Sequence, residues 1–144
     1  MDKELVITHE CDPEESTYIR NKLIEFNNSK VSPELSKTPV ESVGLLIKGD
    51  NGEIFGGLTG MIYWNHLRID ILWVDESLRG KGYGKKLLDT AEEVARSKGC
   101  TLITLDTFSF QAPQFYQSQG FEIFGTHENF PEGFTHYYLT KKLE

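Results

Sequence analysis

What the chain has little of narrows it first. Two cysteines, Cys11 and Cys100, occur among 144 residues. They are too few and too far apart for a disulfide framework, so reduced thiols and a cytoplasmic address are expected. No apolar run approaches the ~20 residues of a membrane helix, and the opening MDKELVITHE lacks the apolar core of a secretory leader. Positive charge is scarce: 15 Lys and Arg stand against 22 Asp and Glu, a net charge of −7. That deficit argues against a nucleic-acid partner, which needs cations to meet phosphates, and it is compatible with a cationic small substrate. Repeats, low-complexity tracts and a dividing linker are absent, so residues 1–144 are expected to form a single domain. The histidines at 9, 66, 127 and 136 show no metal-ligand spacing with each other or with the cysteines, and no metal is expected.

What is present suits a globular core: 38% hydrophobic residues, with nine Phe, six Tyr and two Trp. ELVITH, at residues 4–9, reads as a first strand. Asp12, Pro13 and Glu15 then have the order of a helix start, with a capping residue, a proline in the first turn and a reciprocal acid. Residues 27–40 are polar and carry two prolines, which predicts a loop with at most one helical turn. Asp50-Asn51-Gly52 marks a hairpin turn, and a second turn near Asn65 leads into the apolar run 67–74. A helix is predicted over residues 83–98, with Leu87, Leu88, Ala91, Val94 and Ala95 as its buried stripe and Gly99 after its end. TLITLDTF reads as an interior strand. A short helix containing Pro113 and two closing strands follow. The order predicts one α/β layer structure.

DESLRGKGYGKKLL, residues 75–88, places glycines at 80, 82 and 84 between a strand and a helix. Main-chain N–H groups at a helix start have no internal partner, and the helix dipole adds partial positive charge. Without side chains, a pyrophosphate can approach them closely. Arg79, Lys81 and Lys85 add charge at the rim. The P-loop pattern fails because Lys85-Lys86 follows Gly84, with no Gly-Lys-Ser/Thr. The dinucleotide pattern fails because the third glycine comes too soon and the loop lies mid-chain.

Arg79-Gly80-Lys81-Gly82-Tyr83-Gly84, with LWV upstream at 72–74, resembles the acetyl-CoA-binding motif of the GNAT acyltransferase family. A second block, Ala112, Phe115, Tyr116, Gly120 and Phe121, resembles that family's helix carrying a tyrosine. The resemblance covers nearly the whole chain. It implies a mixed, mostly antiparallel sheet flanked by helices, with one splayed strand pair. It also implies acetyl-CoA as acyl donor. Backbone at Trp73 and Val74 is expected to hold the pantetheine arm, and backbone from Arg79 through Gly80, Lys81, Gly82, Tyr83 and Gly84 to Lys85 to cradle the pyrophosphate. Where the family often has an asparagine on the cofactor arm this chain has Ser109, which can cap the helix and donate one hydrogen bond.

The resemblance implies an N-acetyltransferase acting on a primary amine of a small molecule or peptide. The attacking amine must be neutral and the departing thiolate protonated. The phenol of Tyr116 suits the second task, and the family's general acid falls on it. For the base, Asp70 is favoured, because two-residue alternation puts it on the face of Leu72; Glu41, Asp75 and His66 rank below it. Cys100 reads as a small buried hydrophobe. Trp64 and Phe130 are candidate walls of the acceptor pocket. The acceptor itself has no motif. A homodimer through the aromatic closing hairpin is a candidate assembly, and a non-catalytic acyl-CoA-binding module on the same fold is the alternative function.

Overall fold

In the computed structural model, which describes residues 4–144, Asp12, Pro13 and Glu15 begin the first helix as their order predicts. Asp12 Oδ1 accepts from the Glu15 N–H at 2.8 Å, and Glu15 Oε1 accepts from the Asp12 N–H at 3.1 Å. The helix, α1 (Pro13–Lys30), runs further than expected into the polar stretch, which holds no proline until Pro33. Ser32 is held extended before that proline and its hydroxyl caps the single turn α2 (Pro33–Ser36). These elements belong to a unit that ends at Lys37; a second unit spans Thr38–Glu144. The strand expected over residues 4–9 does not form. Leu5, Val6 and Ile7 are exposed, and among the described residues no strand pairs with them. A strand is stable only with a ladder partner, which local composition does not supply.

The second unit is a six-stranded sheet in the order β1-β2-β3-β4-β6-β5. Strands β1 (Glu41–Lys48) and β2 (Ile54–Tyr63) flank the Asp50-Asn51-Gly52 turn. β2 joins β3 (His66–Val74) through Trp64 and Asn65, both at positive φ, the left-handed pair that a two-residue hairpin turn requires. A parallel neighbour needs a crossover, and α3 (Tyr83–Ser97) provides it before β4 (Leu102–Phe108). Leu87, Leu88, Ala91 and Ala95 form the buried stripe of α3, which packs on β1, β2 and β3. Helix α4 (Pro113–Ser118) leads to β5 (Glu122–Glu128) and β6 (Thr135–Lys142). Leu58, Ile62, Leu67 and Leu139 lie at the centre, almost wholly out of solvent. Cys100 is buried, as expected. No helix among the described residues is long and apolar enough to cross a membrane.

A charged knot fastens α3 to the closing strand. Glu92 accepts from Lys141 Nζ at 2.7 Å and from Arg96 Nε at 3.3 Å, and Lys141 also donates to the carbonyl of Gln119 at 2.9 Å. The hydrogen bond from Lys141, with the charges of Lys141 and Arg96, holds the Glu92 carboxyl below its ordinary range against the opposing cost of burial. The native state therefore releases this proton more readily than the unfolded chain, and the knot's contribution is lost as pH falls through the carboxylate range. Glu92→Gln is expected to cost ~1 kcal/mol near neutrality. Urea denaturation at neutral and acid pH checks this; the gap between wild type and variant should narrow on acidification.

Candidate active site

The sheet opens between β3 and β4. Their parallel ladder has three pairs, His66–Leu102, Leu67–Ile103 and Arg68–Thr104, and then stops. One residue later β3 bulges: Ile69 pairs with Gly60 and Ile71 with Thr59, which leaves Asp70 without a partner. A bulge bends its strand and increases local twist, and the two edges diverge beyond it. The resulting cleft, about 810 Å³, is lined by β3 from Asp70 to Val74, the glycine loop, the outer end of β4 and α4. The expected splayed pair is therefore β3 and β4.

The bulge also changes which way Asp70 faces. Leu67 and Ile69 are buried before it, and Leu72 and Val74 turn inward after it. Asp70 thus lies with Arg68, which donates from Nε to its Oδ1 at 3.2 Å, and not on the face of Leu72. Strict alternation misplaces it because the extra residue resets the period.

The glycine loop forms a cradle of free donors. Asp75 accepts from the Ser77 N–H and hydroxyl, bonds that hold its carboxyl below the usual range, and a 3-10 turn, Glu76–Leu78, follows. Gly80 and Gly82 have φ of 78° and 84°, the left-handed region that L side chains rarely occupy. A Cβ at either would meet no atom within 4 Å, so the space above them is open. The N–H groups of Arg79 and Lys81 are spent on Glu76 and Leu78. Those of Gly80, Gly82, Tyr83, Gly84 and Lys85 have no protein acceptor, and no side chain caps α3. The cradle is therefore narrower than the whole span from Arg79 to Lys85. Gly84 has a different task. A Cβ there would stand 3.2 Å from the Phe115 ring, so its absence lets α4 approach the start of α3.

Tyr116 reaches the cleft from α4. It is 8% exposed and packs edge-on against Phe115 and Phe121. Its hydroxyl makes no hydrogen bond within the protein. Burial, reinforced by the negative charge of Asp106, pushes its pKa up to about 12. The phenol therefore stays protonated throughout the physiological range, with its donor unspent.

Asp106, on β4, lines the cleft and is half exposed. Its Oδ2 lies 2.6 Å from Nε2 of His136 on β6, a residue 5% exposed. The other ring nitrogen of His136, Nδ1, is buried without a partner. With a proton on Nε2 the ring donates to Asp106 Oδ2. Sequence reading weighed His136 only as a metal ligand and passed over Asp106, although an aspartate inside the apolar run LITLDTF is the signal that marks the position.

The structure gathers Asp70, Trp73, Val74, Arg79, Gly80, Gly82, Tyr83, Gly84, Lys85 and Tyr116 around one cleft. Lys81 and Ser109 are not among its lining residues. Ser109 is tied to β6, donating its N–H to the Thr135 carbonyl at 2.8 Å and accepting from the Thr135 N–H at 3.0 Å. It does not cap α4, whose N-cap is Ala112. Gln111 stands in the cleft wall instead, its side-chain oxygen held by the Thr107 hydroxyl and the Phe108 N–H. Arg79 Nε donates to the Val74 carbonyl at 3.2 Å, which occupies part of the backbone expected to hold the cofactor arm. Trp64 lies in the β2–β3 turn against Tyr63, outside the cleft. Among the weaker base candidates, the His66 ring is spent on Thr104 Oγ1 at 2.6 Å, and burial with the Arg68 charge keeps its pKa low. Glu41 pairs with Lys98.

Residues 7–121 match the acetyltransferase (GNAT) family. The chain is 38% identical over 113 residues to the blasticidin-S acetyltransferase of Streptomyces morookaense, covering 78% of this chain and 83% of that protein. An acetyltransferase of Agrobacterium fabrum is 31% identical, with 84% and 85% covered. The crystal structure of an acetyltransferase from Bacillus cereus superposes with a TM-score of 0.88 at 46% identity, covering 96% of this chain and 98% of that one.

Proposed function

The chain belongs to the acetyltransferase (GNAT) family and is an acetyl-CoA-dependent N-acetyltransferase, and from that premise we propose that it acetylates a primary amine of a small molecule by direct attack, with Tyr116 as the general acid. The observation that carries this reading is the phenol of Tyr116, buried in the cleft wall, held protonated and without a protein partner. Acetyl-CoA supplies an acyl carbon that exchanges its bond to sulfur for one to nitrogen. The residues present fit it. Five free N–H groups and two open left-handed glycines suit a pyrophosphate, and the edge of β3 left unpaired by β4 at Trp73 and Val74 suits an amide-bearing arm, with the Val74 carbonyl already taken by Arg79 Nε. Tyr116 donates its proton to the departing thiolate, and the amine's proton passes to water.

The similarity to a blasticidin-S acetyltransferase favours a small-molecule acceptor over a peptide. The free cysteines and net charge of −7 favour action in the cytoplasm, away from nucleic acid. The family match spans both structural units, which supports one functional domain. Thiol release tests the proposal, with acetyl-CoA and a panel of blasticidin S, a polyamine, an aminoglycoside and a lysine-containing peptide. Release with at least one small amine is expected. No release with any acceptor, together with no acetyl-CoA binding, overturns it.

A further inference from the structure

An ordered aromatic wall flanks the cleft and takes no part in the steps above. Phe110 lines the cleft and is 56% exposed, and Phe130 and Phe134 are 50% and 45% exposed. Large apolar rings gathered at a surface mark a recognition site more often than a passive face. These rings are arranged. Phe108 and Phe110 stack at 5.4 Å and 6°, Phe134 meets Phe110 edge-on at 5.0 Å, and Phe130 meets Phe108 edge-on at 5.9 Å. The loop presenting Phe130 and Phe134 is fastened by the Gly133 N–H to Asn129 Oδ1 at 2.7 Å and by the Phe130 N–H to the Phe134 carbonyl at 3.0 Å.

The carboxylate of Asp106 stands beside this wall. His136 stacks on Phe108 with ring centres 4.4 Å apart and holds Asp106 by one oxygen. Among the described residues no Lys or Arg forms an ion pair with Asp106. Its ion-pair partner is His136 alone among the described residues, and the half-exposed carboxylate lines the cleft. A carboxylate next to exposed rings suits a cation, which both attract, and the Phe110 ring, more than half in solvent, can take a further flat group against it.

We propose that Asp106 and this wall form the acceptor subsite, and that it takes an ammonium compound bearing a planar aromatic group. The proposal rests on the amine-acetylation reading and narrows it to an acceptor class. His136 acts as a positioning residue, fixing the carboxylate without touching the ligand.

Binding can be measured without turnover. Two probes, 2-phenylethylamine and 2-cyclohexylethylamine, carry the same ammonium and differ in planarity. In an NMR titration of the wild-type protein, the phenyl compound is expected to bind about fivefold more tightly. Asp106→Asn, which keeps a hydrogen-bond acceptor for His136, should weaken both probes about tenfold. Phe110→Leu should erase the preference between them, with thermal unfolding followed to confirm that each variant folds. Equal affinity of the two probes for wild type, or an unchanged affinity in Asp106→Asn, overturns the subsite. Binding that follows this pattern without acetyl transfer to any amine sinks the acetylation reading alone; transfer without ring preference sinks the subsite alone.

Discussion

Replacing Tyr116 by Phe is expected to lower kcat by about 10²- to 10⁴-fold, the span a positioned general acid contributes, with the Kd for acetyl-CoA unchanged. The substitution removes one oxygen and keeps the ring, so packing against Phe115 and Phe121 is retained. The hydroxyl has no protein partner, so its loss strands no buried group. Rate is then the quantity that moves, and steady-state kinetics with calorimetric titration of acetyl-CoA separates the two constants. A fall of less than about tenfold would assign the thiolate's proton to water. The pH profile adds a second check. Tyr116 titrates near 12, so a rate that rises with pH reports the acceptor shedding its proton, and deprotonation of this phenol does not curtail it below the strongly alkaline range. Stability obeys the same linkage: the native state holds the phenolic proton more tightly than the unfolded chain, so that contribution is lost as pH rises from about 10 through the native value.

Gly82→Val is expected to weaken acetyl-CoA binding by about tenfold or more and to cost ~1–3 kcal/mol of stability. Both effects come from one geometry. At φ 84° a branched side chain is strained, and its Cβ would project into open space beside the free N–H groups of the loop. Folding would be spared only with ordinary helix-entry angles at this position, and the left-handed conformation rules that out. Gly52→Val is the matched control, because Gly52 has φ 83° with equally open surroundings but lies in the β1–β2 turn. It should lose comparable stability and keep its affinity. Chemical denaturation and titration of both variants make the comparison. Unchanged acetyl-CoA affinity in Gly82→Val would remove the phosphate-binding role from the loop.

Much of the fold was legible because local chemistry decided it. Asp12, Pro13 and Glu15 name a helix start whatever surrounds them, and the stripe from Leu87 to Ala95 repeats at helical spacing. Residues 4–9 failed because strand composition was present and a partner strand was not. In the cleft, the glycine loop and Tyr116 were legible as motifs with fixed spacing. Three details were not. The face of Asp70 depends on a bulge that no single residue announces. Ser109 is claimed by Thr135, which lies 26 positions further on. The link between Asp106 and His136 joins two strands 30 positions apart, and only the folded sheet reveals it.

The unpaired residue in β3 has a consequence for the economy of the whole sheet. Without it, inward and outward positions would alternate unbroken from Leu67 to Val74, and nothing in the apolar pattern would forbid a regular strand. A regular β3 would keep zipping along β4, gaining hydrogen bonds that the native protein forgoes and closing the cleft between them. The opening is a deliberate defect, in which a sheet held shy of its own best pairing acquires a mouth.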